Sequence, residues 1–328
     1  MISLALKAKE MAEAARKLRL GIASQEAEGA PAEMGLKIRR FAGPEAYVDR
    51  MQPLRIAHLT DLHVGRVTPM KVQFAAVQVT NALAPDLVVI TGDFVCHGQA
   101  YLGPLSEVVR AFEAPVICVL GNHDHWSGPQ EVRQALRRAG AEVLDNAFTA
   151  ITLRGQRLQV LGLDDAYTGN SRREEALRGL RADEPVLGLS HIAEEADGLW
   201  AAGVPLVLSG HTHAGQVTVA RLHELAIGRI AGHRYIHGLY GSRRAEVEQG
   251  AVYVGAGVGA AVMPLRLGER AKREIAVFEL GQAPGSFAEP LGEQLPHPGR
   301  KPSEKTQQKR AAAVVKKAER RQKRSPKP

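Results

Sequence analysis

Five apolar runs of strand length punctuate the chain: Leu54 to Thr60, Leu87 to Thr91, Pro115 to Leu120, Val186 to Ser190 and Val204 to Ser209. Each is short enough for a buried strand and is followed at once by polar residues. Between them, helical spacing recurs over Val67 to Leu83, Leu105 to Phe112, Glu131 to Ala139 and Ala193 to Trp200, which predicts helices covering a sheet. Ile151 to Leu153 and Leu158 to Leu161 read as a hairpin, and Ala251 to Val254 and Ile275 to Leu280 as closing strands. Strands alternating with helices place the chain in the α/β class.

The polar clusters at the strand ends carry the candidate chemistry. They are Asp61-Leu62-His63, Gly92-Asp93, Gly121-Asn122-His123-Asp124, His191, and Gly210-His211-Thr212-His213. Carboxylate, amide and imidazole groups are donors for divalent cations, and no one cluster is large enough to close a coordination sphere. Their repeated position after an apolar run implies that the strands bring them to one place. His123 beside Asp124 is a candidate proton donor, with the carboxylate supporting the charged ring.

This ordered set resembles the calcineurin-like metallophosphoesterase superfamily. Ser209 to Gln216, Tyr253 to Gly259 and Leu265-Arg266 further resemble its bacterial phosphodiesterase-like, membrane-associated branch, with the likeness covering residues 53 to 280. The resemblance implies a four-layer αββα sandwich, two mixed β-sheets flanked by helices. It implies that Asp61, His63, Asp93 and His213 surround one cation and that Asp93, Asn122, His191 and His211 surround the other, Asp93 bridging. It also implies attack on phosphorus by a bridging water or hydroxide, with His123 serving the leaving oxygen and Asp124 orienting it. Mn²⁺ suits the mixed oxygen and imidazole set, with Fe or Zn as alternatives. Cys96 departs from the pattern, since many relatives carry an acidic residue there; it reads as packing or support for the site. His97 has a low claim to be a ligand.

Other loops receive lesser roles. Leu163 to Gly169 reads as a surface loop; its Asp164 and Asp165 and the segment Thr168 to Leu180 are candidates for substrate selection, and His125-Trp126 is a candidate lining of the mouth. Val217, Val219 and Leu222 read as a strand or surface extension. Gly228 to Gly241 reads as an insertion beside the site, where Arg229, His233, Arg234 and Arg243 either face an anionic substrate or are simply solvated. The glycines at 255, 257 and 259 lack the context of a nucleotide fingerprint.

Charge changes the picture only when it is divided. The chain carries +8, but residues 300 to 328 hold 12 Lys or Arg against Glu304 and Glu319, leaving the remainder about −2. A nucleic-acid-binding catalytic domain therefore loses its electrostatic support. The expected organisation is an N-terminal helix and linker over 1–52, a catalytic domain over 53–280, and a disordered Pro/Gly-rich and basic tail over 281–328. Leu4, Ala8, Met11, Ala15 and Leu18 recur at helical spacing, which permits an amphipathic surface helix. No run is long enough to span a bilayer, and Cys96 and Cys118 alone offer no disulfide framework.

The function expected is two-metal hydrolysis of a phosphodiester or other phosphate ester. Alternatives are pyrophosphate hydrolysis of UDP-2,3-diacylglucosamine in lipid A synthesis, nucleotide phosphodiesterase activity, and a metal-stabilised scaffold binding RNA or membrane. The location expected is cytoplasmic, with attachment through the termini to an anionic membrane surface at the inner face. RNA is the rival partner for the basic tail, and the oligomeric state is not written in the sequence.

Overall fold

A computed structural model describes residues 35–96, 98–215, 228, 231–244, 249–260, 266–300 and 302–322 of the 328. The apolar runs form the centre of two sheets. In the first, β1 (Leu36–Ala42), β2 (Leu54–Leu59), β3 (Leu87–Thr91), β4 (Val116–Val119), β5 (Glu142–Val143) and β12 (Arg273–Leu280) lie in the order β1-β12-β2-β3-β4-β5. In the second, β6 (Ala147–Leu153), β7 (Gln156–Gly162), β8 (Val186–Leu189), β9 (Leu206–Ser209), β10 (Gly238–Gly241) and β11 (Ala251–Val254) lie in the order β10-β11-β9-β8-β7-β6. Both sheets mix parallel and antiparallel pairs.

Strand periodicity explains the layers. Side chains alternate faces along a strand, and in β3 Leu87 and Val89 enter the core between the sheets while Val88 and Ile90 face the outer helices. The same alternation divides β2: Leu54 and Ile56 point inward and Ala57 and Leu59 outward. Helices α1 (Met70–Ala82), α2 (Leu102–Arg110) and α4 (Pro129–Arg138) cover the first sheet through Val72, Val108 and Leu136, whereas α6 (Ala196–Trp200) covers the second through Leu199. Short helices α3 (Asn122–Ser127) and α5 (Arg173–Ala176) sit in the connections. Two mixed sheets sandwiched by helices are the αββα arrangement expected. No helix of the described residues is long and apolar enough to cross a membrane.

The ends of the domain differ from expectation. Leu36–Ala42, which falls in the expected linker, is a strand that pairs in parallel with β12, and Phe41 packs on Tyr253 and Phe278 in the inter-sheet core. Its polar alternates concealed it: Arg39 ion-pairs with Glu274, and Arg40 with Glu279.

The expected disordered tail is also corrected. Glu289 and Glu293 hold the buried Arg243 guanidinium, so the chain beyond Gly281 remains tied to the domain. Arg243 is therefore engaged by carboxylates. Helix α7 (Glu304–Gln322) follows. The N-terminal amphipathic stripe, His97, Val217, Val219, Leu222, Arg229 and Leu265 lie outside the described residues.

Candidate metal centre

The five polar clusters converge where the strands of both sheets end. Pairing continues past the strands: Asp61 N–H donates to Gly92 O at 3.0 Å, His63 N–H to Asp93 O at 2.9 Å, and Gly210 N–H to His191 O at 3.2 Å. The turns that aim the side chains inward are strained. Asp61, His63, Asp93, His211 and His213 all adopt positive φ, between 45° and 76°, a region that costs non-glycine residues energy and is retained chiefly at functional sites. Close approach sets the neighbouring glycines. A Cβ on Gly210 would collide with Thr60 Oγ1 and stand 2.5 Å from Asp61 Oδ2, and one on Gly121 would collide with the Asp93 carboxylate.

Two donor groups result. In the first, Asp61, His63 and His213 place ligand atoms within 4.8 Å of one another; in the second, Asp93, His191 and His211 do the same. His213 Nε2 lies 3.3 Å from Asp61 Oδ1 and 3.0 Å from His63 Nε2. Asn122 Oδ1 stands 3.2 Å from His191 Nε2 and so joins the second group. One atom connects them: Asp93 Oδ2 is 3.5 Å from His63 Nε2 and 3.4 Å from His191 Nε2. All seven residues expected to bind metal are therefore neighbours.

The donors fit divalent cations. Asp61 Oδ2 accepts from Thr60 Oγ1 and His211 N–H, while Asp61 Oδ1, which faces His213, is buried with no hydrogen-bond partner. His191 donates Nδ1–H to Thr91 O at 2.7 Å, so Nε2 is the ring atom that faces the cluster and would ligate a cation on losing its proton. Electrostatics carry the same demand for positive charge. Burial would raise the Asp61 carboxyl, but His213 and His63 outweigh it and hold it below the usual carboxylate range. Burial would lower His191 and His63, but Asp93 drives His191 up to about 10, and Asp61, Cys96 and Asp93 drive His63 up to about 9. Protons gather where cations would compensate the same carboxylates. His211 and His213, depressed by burial and cationic neighbours, are neutral and able to donate lone pairs.

His123 borders the centre without belonging to either group. Its N–H donates to Asp93 Oδ1 at 2.8 Å, and its ring Nδ1 lies 2.8 Å from the carbonyl oxygen of Cys96. The expectation that Asp124 orients this ring is corrected. Asp124 accepts the N–H groups of Gly121, Phe94 and Val95, and so fastens the Asp93 loop to the start of α3. Burial, then the charge of Asp93, raises its carboxyl. Cys96 places its sulfur with the nitrogens of His63 and His123, all within 4.8 Å, so its support for the site is both carbonyl and thiol.

Asp164 and Asp165 are buried, contrary to a surface loop. Asp164 binds His125 Nε2 at 2.8 Å and Arg133 at 2.9 Å, which also removes His125 from the mouth. Asp165 accepts from Tyr167 N–H and from Thr168 N–H and Oγ1, forming the turn that presents Tyr167. Tyr167 is the contributor that sequence reasoning missed; the aspartate two residues before it was the available signal. Its ring centroid is 5.1 Å from His211 and 6.1 Å from Trp126, whose own ring is 4.8 Å from His123. His233 extends the wall, 5.2 Å from His211 and bound to Glu194, while Arg234 is paired with Asp197.

The calcineurin-like phosphoesterase model matches residues 54–215. The chain is 29% identical over 248 residues to the phosphodiesterase YaeI of Escherichia coli K12, covering 71% of this chain and 84% of that protein. It is 30% identical over 232 residues to the uncharacterised metallophosphoesterase YkuE of Bacillus subtilis, covering 69% and 78%. Similarity to the UDP-2,3-diacylglucosamine pyrophosphatase LpxG of Chlamydia muridarum is 30% over 112 residues, 30% of this chain and 34% of that protein. The fold and the paired donor groups define a binuclear metal-dependent phosphohydrolase. The chain belongs to the calcineurin-like metallophosphoesterase family.

Proposed function

We propose that this enzyme hydrolyses phosphodiesters with two Mn²⁺ ions, one held by Asp61, His63 and His213, the other by Asn122, His191 and His211, and both by Asp93. The observation that carries the reading is the near-equal distance of Asp93 Oδ2 from His63 Nε2, 3.5 Å, and His191 Nε2, 3.4 Å. When bound, the cations supply a water of lowered pKa and neutralise charge on the phosphoryl oxygens. The chain supplies positioning. Asp61 and Asp93 set the donors, and Asp124 locks the Asp93 loop against Gly121. His123, oriented by Nδ1 donating to Cys96 O, would protonate the departing oxygen. Trp126 and Tyr167 form an aromatic flank for the organic group of the ester.

The substrate class rests on this flank and on the phosphodiesterase YaeI, which the chain matches over most of both lengths. Pyrophosphate hydrolysis of a nucleotide-linked lipid is the second reading, favoured by the shorter match to LpxG. We assign the bacterial phosphodiesterase-like branch on the likeness to YaeI and YkuE, and a cytoplasmic location in which the basic tail meets anionic membrane, the attachment resting on the charge division between tail and domain. The test is turnover of bis-p-nitrophenyl phosphate, a nucleoside cyclic phosphate and a nucleotide pyrophosphate by metal-stripped protein given Mn²⁺, Fe²⁺ or Zn²⁺. Preference for the diesters with Mn²⁺ supports the reading. Preference for the pyrophosphate selects the second, and no metal-dependent turnover defeats both.

A further inference from the structure

The mouth of the metal centre has a definite side. Asp61, His63, Asp93 and His191 are at most 2% exposed, whereas His123, His211 and His213 are more accessible, so approach is across the aromatic flank of Trp126 and Tyr167. Helix α7 reaches that flank from the far end of the chain. Arg310 lays its guanidinium over the Tyr167 ring, 3.8 Å from the centroid, and α7 packs against α3, the helix that begins with Asn122 and His123. One turn further, Val314 lines a recess of about 390 Å³ together with His125, Arg133, Asp164, Asn170 and Arg172.

The helix rests on the domain by one stripe. Thr306, Arg310 and Val314, four residues apart, are half-buried while Gln307, Lys309, Ala311 and Val315 are exposed. Among its described side chains, α7 makes no ion pair or side-chain hydrogen bond to the catalytic domain; the bonds of Thr306 and Gln307 close locally on Pro302 and Ser303. Among its described side chains the helix is thus held by a cation over an aromatic face and by the half-buried Thr306 and Val314, with no polar bond to the domain to break on release. It also occupies the ring face that an organic group entering beside His211 would use.

We propose that α7 is an autoinhibitory cover, with Arg310 occupying the Tyr167 face in competition with the organic group of the substrate. The proposal rests on the phosphohydrolase reading for its substrate. It does not rest on it for the docking. A cation–π contact at an exposed site corresponds to about a two- to fivefold effect on binding. Substrate and cover exclude one another, so the effect falls on KM and leaves kcat unaltered.

The test uses the full chain, the R310A variant, and V314G, which removes the side chain bordering the recess and loosens the helix there; neither residue is among the proposed metal ligands. With Mn²⁺ and bis-p-nitrophenyl phosphate, both variants are expected to lower KM by about two- to fivefold at constant kcat. An unchanged KM overturns the cover, and a raised KM overturns it by making Arg310 a substrate contact. A second arm needs no turnover: brief trypsin treatment of the full chain with phenylphosphonate, which carries an aromatic ring and is not hydrolysed. Faster release of the 302–322 segment when phenylphosphonate is present supports competition, and an unchanged rate contradicts it. Failure of every phosphodiester to turn over would reject the phosphohydrolase reading while the trypsin arm still judges the cover.

Discussion

Cys96 and His123 are joined by a contact in which the Cys96 carbonyl oxygen stands 2.8 Å from ring Nδ1 of His123. A main-chain group thus fixes one ring nitrogen of the residue assigned to the leaving oxygen, so the side chain at position 96 is replaceable in that task. His123→Ala is expected to keep both metals and lower turnover by about 10²- to 10⁴-fold for esters with poor leaving groups. Nitrophenolate needs little protonation, so its rate falls less. Equal losses for both leaving groups, read from kcat alongside metal content, would contradict the assignment.

Asp124 gives the opposite signature. Its carboxylate accepts three main-chain N–H groups, from Phe94, Val95 and Gly121. Asp124→Ala leaves buried donors without partners and is expected to cost on the order of 3 kcal/mol of stability. Thermal unfolding and metal titration check this: a lowered midpoint and weaker metal binding should accompany any loss of rate, for good and poor leaving groups alike.

Much of the site was legible because its chemistry stands in short polar clusters directly after apolar runs, and the runs became strands. What sequence concealed is long-range or conformational. Leu36–Ala42 finds its partner β12 more than 200 residues away, and its arginines are paid for by Glu274 and Glu279 only once the sheet forms. The positive φ of Asp61 and His213 has no residue-type signature, since neither is glycine. Asp164 and Asp165 look like solvated loop residues until Arg133, His125 and Thr168 surround them.

Glu274 supplies a pH-dependent stability term away from the metals. It binds Arg39 at 2.6 Å, His237 at 3.0 Å, the Tyr253 hydroxyl at 2.8 Å and Ala256 N–H at 2.8 Å. Burial would raise its carboxyl, but His237 and Arg39 lower it well below 4.5, the ordinary glutamate value. A depressed folded-state pKa contributes stability that is complete above the unfolded value and lost as pH falls toward the folded one. Glu274→Gln is therefore expected to cost about 3 kcal/mol at pH 7. The gap to the unaltered protein should narrow as pH drops below 4.5. Urea unfolding at pH 7, 4 and 3 measures it, and a gap independent of pH would contradict the network.

The tail divides at residue 300. Truncation after Gly281 removes Glu289 and Glu293 and leaves the Arg243 guanidinium buried without carboxylates. Its unfolding midpoint should fall by several degrees, since about 3 kcal/mol is at stake. Truncation after Arg300 keeps both glutamates and should leave the midpoint unchanged. It should also weaken sedimentation with anionic vesicles at low salt, because all but one of the tail's Lys and Arg residues are removed. Unchanged vesicle binding would place any membrane-contacting surface elsewhere.

The central claim is that Asp93 serves two cations at once, and metal stoichiometry tests it most directly. Chelated protein reloaded with Mn²⁺ and desalted should hold two ions per chain by mass spectrometry of the metal, with turnover abolished by chelation and restored by Mn²⁺. His213→Ala, at the first group alone, should keep the second ion, whereas Asp93→Asn should weaken both. Two tightly held ions and near-normal turnover in Asp93→Asn would contradict the bridge between His63 and His191.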